Sequence, residues 1–138
     1  MMKMDLLRRQ QDAVLNLAHR LLDLIDAYQD GNPGFPILMQ LHRLFGVLRV
    51  HLALEDVELY PQLTASPDAK TASTAQLFSD EMGGLAEQLE CFARQWSCSA
   101  GITSNFEEFR EAAHDLVLSL AIRIERERHF LYPLARAA

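Results

Sequence analysis

Two stretches of this chain place a basic residue four positions before a glutamate: His51 with Glu55, and Arg123 with Glu127. Positions i and i+4 stack on one face of an α-helix. The stripe that each pair joins is otherwise apolar. Leu41, Leu44, Leu48 and Leu59 flank the first pair, and Phe106, Phe109, Ala113, Leu116, Leu120 and Leu131 flank the second. Acids and bases rarely sit on such a seam unless they are paired or ligated. Glutamates and histidines pointing inward from facing helices are how a bundle builds a carboxylate-bridged metal pair. A guanidinium on the same seam does different chemistry: it pairs with carboxylates through a planar fork of donors and opposes a nearby metal cation.

The elements that must position these residues are four segments with the 3.6-residue period, at about 5–29, 36–61, 73–97 and 104–133. Breakers separate them: Asp30-Gly31-Asn32-Pro33-Gly34, then Thr64-Ala65-Ser66-Pro67-Asp68, then a turn over 99–103 containing Gly101. Pro36 suits a first helical turn. Ser73 with Gln76, and Ser104 with Glu107, have capping-box spacing. Tyr60-Pro61 and Tyr132-Pro133 read as helix stops. No stretch alternates with period two over strand length. The expectation is an all-α protein, an antiparallel up-down-up-down four-helix bundle forming one domain over 1–138. A faint repeat supports two similar hairpins: residues 51–61 and 123–133 share the glutamate at the fifth place and a closing Leu-Tyr-Pro.

With 138 residues, 49% hydrophobic and 23% charged, the chain has ample material for one core. Its formal charge of -6 argues against nucleic acid or an anionic membrane surface as partner. The first residues lack a signal peptide's hydrophobic segment and no apolar run approaches a membrane span, so the expected location is cytoplasmic. Cys91 and Cys98 stand seven helical residues apart, a rise of about 10.5 Å. A disulfide needs Cα atoms within about 7 Å, so both read as reduced thiols packed near a core. Nothing resembles a nucleophile elbow, a phosphate loop or a Cys-x-x-Cys pair. The protein reads as no enzyme.

His-x-x-x-Glu followed by Leu-Tyr-Pro, set twice in a four-helix chain, resembles the hemerythrin-like HHE cation-binding domain over nearly the whole length. That family holds two non-haem irons between histidines of all four helices and two bridging glutamates, and its members bind or sense oxygen, nitric oxide or iron. The resemblance implies ligand positions at Gln11, His51, Glu55, Met82, Arg123 and Glu127. This chain departs from the pattern at three of them. Gln11 in Arg9-Gln10-Gln11-Asp12 replaces a histidine, Met82 after Glu81 replaces another, and Arg123 a third.

Two buried glutamates without metal are costly, and Arg123 supplies a fixed cation. The expected core is therefore a Glu55–Arg123–Glu127 ion network, with His51 and Gln11 filling the remaining hydrogen bonds and no cofactor. The alternative is iron or another divalent metal on His51, Glu55 and Glu127, serving a sensor or carrier. The first reading makes the protein a regulatory or protein-interaction module. His19, His42, His114 and His129 read as solvated or structural. Gly83-Gly84 inside a helix reads as close helix approach, a kink, or an opening to the site. The apolar arc of the first segment is wider than a monomeric bundle needs. Leu6, Leu17 and Leu24 at its edge are expected to form an interface with a protein partner or with a second copy.

Overall fold

Spacing of four and three residues governs the first helix of the computed structural model, which describes residues 4–137. In α1 (Met4–Ala27) the buried residues are Leu7, Gln11, Val14, Ala18, Leu21 and Ile25, one stripe facing the bundle. The turn that follows uses Gly31 at φ +92°, a backbone conformation open to glycine. Gly34 closes it. A Cβ there would stand 2.7 Å from Thr103 Cγ2, so the turn packs on the far loop only because that side chain is absent.

The second rod joins α2 (Phe35–Leu54), a π turn (Glu55–Leu59) and α3 (Tyr60–Thr64). It does not stop at Tyr60-Pro61. Pro61 lacks an N–H, and its ring would clash with the carbonyl four residues back in a regular helix. The chain widens by one residue instead, and the Tyr60 N–H bonds to the Glu55 carbonyl. The fourth rod repeats the device: α6 (Phe106–Arg126) runs through a π turn (Glu127–Leu131) into α7 (Tyr132–Ala137), with the Tyr132 N–H on the Glu127 carbonyl. The third rod is α4 (Ala69–Gln95). Asp68 caps it, accepting from the Thr71 N–H at 3.0 Å and its hydroxyl at 2.7 Å. Ser73 is therefore not a cap; its hydroxyl donates to the Lys70 carbonyl. Residues expected as a turn form a short helix, α5 (Ser99–Ser104), and Asn105 rather than Ser104 precedes α6.

The four rods form the antiparallel all-α bundle, with no strand among the described residues. By length and a mean hydropathy of 1.3 the second rod would pass for a membrane span, as core helices also do. Two apolar clusters lie along the bundle. The larger includes Val14, Leu44, Leu48, Leu89, Phe109 and Leu120, and the smaller includes Leu7, Leu59, Phe78, Leu131 and Tyr132. Each rod passes from one to the other through a short break: Gln11 on α1, His51 and Glu55 on the second rod, Met82 on α4, and Arg123 and Glu127 on the fourth. All six are buried. A polar layer thus divides the core.

Two expectations fail locally. Cys91 and Cys98 are free but exposed: Cys91 lies on an exposed face of α4, and Cys98, beyond the helix end at Gln95, caps α5. Gly83 and Gly84 are exposed, and a Cβ at either would meet nothing within 4 Å. Close helix approach does not explain them. Leu6 and Leu17 are half-buried, and Leu24, at 37% exposure, is the most open of the three residues expected at an interface.

Candidate functional site

Glu55 and Glu127 face each other across the layer, each the first residue of its π turn. One donor atom from each, together with one from His51, lies within 4.8 Å of the others. The two tyrosines cross over. Tyr132 Oη donates to Glu55 Oε2 at 2.8 Å, while Tyr60 Oη donates to Glu127 Oε2 at 3.2 Å. The π turns make this possible. Five α-helical residues would leave Glu55 and Tyr60 about 140° apart at 100° per residue. The extra residue in the turn brings the tyrosine back to the glutamate's face.

Gln11 is the hub on α1. Its amide nitrogen donates to Glu127 Oε1 at 3.0 Å and to Tyr132 Oη at 2.9 Å, and its carbonyl accepts from Arg128 Nε at 2.7 Å. Arg128 in turn binds Asp12 at 2.6 Å, tying the layer to the surface. His51 Nδ1 pairs with Gln10 Oε1 at 2.9 Å, which directs Nε2 inward, 3.4 Å from Glu55 Oε2. Among the described residues, His51 Nε2 and Glu55 Oε1 have no hydrogen-bond partner.

Arg123 departs from the expected network. Its guanidinium donates to Glu81 Oε2 at 3.0 Å, to Tyr60 Oη at 3.0 Å and to the Phe78 carbonyl, and it lies over the Phe78 ring. Its approach to Glu127 Oε2 is a looser 3.8 Å, and it makes no direct pair with Glu55. Glu81, on the rim of α4, also takes Arg126. Arg123 therefore spans from Glu81 at the surface to Glu127 in the core rather than sitting between Glu55 and Glu127. Met82 is buried beside this clamp. The partners missed in the sequence were Tyr60, Tyr132, Glu81 and Gln10. The twice-repeated Leu-Tyr-Pro was a signal for the two tyrosines, and spacing carried none for Glu81 or Gln10.

Burial dominates the titration of the layer. It raises Glu55, and it raises Glu127 further, to well above the ordinary carboxylate range, with the Glu55 charge adding to the effect. Two buried carboxyls this close do not both ionise readily, so the pair favours holding a proton. Burial lowers His51 and keeps it neutral, and it raises both tyrosines. Glu81 goes the other way, held down chiefly by its bond from Arg126.

These shifts set the sign of a pH dependence. A raised glutamate binds more protons folded than unfolded. Its contribution is present below the ordinary glutamate value of 4.5 and is lost as pH rises through the higher folded value. His51 acts oppositely, its contribution being present above 6.5 and lost as pH falls. Thermal melts at a series of pH values should show Glu127→Gln flattening the loss of stability on the alkaline side. An unchanged slope would remove the raised glutamate from the explanation.

A pair of irons does not fit these residues. At the positions where the resemblance asks for histidines stand an amide donating to Glu127, a thioether, and a guanidinium cation 3.8 Å from Glu127. A single ion fits better, since His51, Glu55 and Glu127 make a three-residue donor set with unpaired lone pairs on His51 Nε2 and Glu55 Oε1. The other histidines lie elsewhere. His19 and His42 are exposed, His114 pairs with Asp26 at 3.2 Å, and His129 with Glu125 at 2.8 Å.

The model of one protein family, described as the hemerythrin HHE cation binding domain, matches residues 2–135. No curated protein and no solved structure matches the chain.

Proposed function

Because the chain belongs to the hemerythrin HHE cation-binding domain family, a metal-binding type of fold, we propose that it keeps the family's bundle as a non-enzymatic, cytoplasmic regulatory or interaction module. In this reading an internal ion and proton network takes the place of the diiron centre. The observation that carries it is Arg123, whose guanidinium is bonded to Glu81, Tyr60 and the Phe78 carbonyl and faces Glu127. A fixed cation there balances one carboxylate, and a proton held by the Glu55–Glu127 pair neutralises most of the other. Gln11, Tyr60 and Tyr132 hold both carboxylates in place through donated hydrogen bonds. The layer then orients four rods against one another and does no redox chemistry.

A second reading, one divalent metal on His51, Glu55 and Glu127, is favoured by the unpaired His51 Nε2 and Glu55 Oε1. When bound, such an ion would supply Lewis acidity or a ligand-binding position there. Gln11 and the two tyrosines would orient its carboxylates.

Elemental analysis of protein purified without chelator, then exposed to ferrous iron and to zinc, separates these readings. The first expects well under about 0.1 equivalent of either metal retained after gel filtration. Near one equivalent, lost in His51→Ala, would establish the second. About two equivalents of iron with an oxo-bridge absorption band would overturn both.

A further inference from the structure

The outer face of α6 carries a pattern that the buried site does not use. Leu118 and Ile122 are 60% and 52% exposed, one turn apart on the line opposite the core. The same line runs through Glu111, Asp115, Leu118, Ile122 and Glu125, with the spacing 4-3-4-3 of a helix-pairing seam, and His129 follows it in the π turn beyond. Beside it an open groove of about 380 Å³ separates α6 from α1, lined by Leu15, Leu22, Val117 and Ala121 among others. The edge of α1 is poorer in exposed apolar surface, since Leu6 and Leu17 are half-buried.

Charge decides what fits. The seam is acidic before Leu118, at Glu111 and Asp115; after Ile122 it carries Glu125 and His129, with Arg126 on its flank. A second α6 laid antiparallel, with the two-fold axis midway between Leu118 and Ile122, sets Leu118 against the partner's Ile122. That axis keeps each flank of the helix on its own side. Arg126 then lies beside the partner's Asp115, Glu125 beside the partner's His114, and His129 opposite the partner's Glu111. Each of these juxtapositions opposes an acid to a base. A parallel copy would instead set each charge against itself.

We propose that this face docks a second copy of the chain, α6 against α6, in an antiparallel two-fold dimer. Arg126, His129 and His114 already have partners within the chain, in Glu81, Glu125 and Asp26. The dimer adds a second acid to each and does not need the first bond broken. One helix face about 27 Å long, from Glu111 to His129, is a small interface. The association is therefore weak, with a dissociation constant on the order of 10 µM, and sensitive to salt.

Sedimentation velocity of the full chain between about 1 and 200 µM, at low and high salt, tests this. The expected result is a monomer–dimer equilibrium that salt shifts toward monomer. Leu118→Glu should abolish it without changing the circular dichroism spectrum, and Ile122→Glu serves if Leu118→Glu does not fold. Glu111→Lys should weaken it about tenfold, and adding His129→Glu should restore it. A parent protein monomeric throughout, or a dimer indifferent to both leucine-face variants, overturns the proposal. Failure of the charge exchange to restore association overturns the antiparallel register on which it rests.

Discussion

Arg123→Leu should cost about 3–5 kcal/mol of folding stability at neutral pH, the range for removing one partner of a buried ion pair. The substitution takes from Glu127 its nearest cation, and from Tyr60 Oη and the Phe78 carbonyl their donor. Glu81 keeps Arg126, so the rim of α4 stays tied to α6. Urea denaturation of both proteins measures the loss. Its pH dependence separates charge from packing. Near pH 5 the raised glutamates hold protons more fully, and the penalty should shrink. A loss equal at pH 5 and pH 8 would make Arg123 a packing residue. A variant melting within a degree or two of the parent would remove it from the layer altogether.

The second large effect is a gain. Replacing Gln11, Met82 and Arg123 together by histidine removes the internal cation and completes the pattern that the family resemblance implies around His51, Glu55 and Glu127. The triple variant should take up more iron than the parent, at more than one equivalent, with new absorption in the near ultraviolet. All three positions are buried in the same layer, which is the geometric precondition. Arg123→His alone is the informative control, because it changes the charge and leaves the ligand count short. A folded triple variant without iron would show that positions 11 and 82 do not converge as ligands.

The long-range content of this site was legible because its ionisable residues break an otherwise apolar stripe. His51, Glu55, Arg123 and Glu127 stand out on helical spacing alone, and Gln11 and Met82 followed from the family resemblance. What spacing could not show was the partner of Arg123. A guanidinium on a long stem reaches several neighbours, and Glu81 is half in solvent, where it carries no signal of burial. The tyrosines were hidden for a different reason. Regular α periodicity turns Tyr60 and Tyr132 away from their glutamates, and only a change of helical pitch turns them back. The cysteines were misplaced because the buried stripe of α4 runs through Met82, Leu89 and Phe92 and leaves Cys91 outside, while a helix end at Gln95 cuts Cys98 off from that phase. Fold class survives such errors; side-chain partners do not.

Each π turn also sets local preference against global need. Relaxing residues 55–59 to regular α pitch would restore α hydrogen bonds up to Pro61, a gain within the helix that the proline ring offsets only in part. Everything beyond would swing by about 100°. Tyr60 and Leu63, both buried in the smaller cluster, would face water, and Glu127 would lose its phenol. The same holds at 128–130 for Tyr132 and Glu55. The protein thus keeps two wide turns, one in each half, favoured locally by a proline and held by a phenol–carboxylate bond to the opposite hairpin. Either hairpin, cut out by itself, keeps the proline but loses that bond, so the helix pitch at Glu55 and Glu127 reports on whether the two halves have assembled.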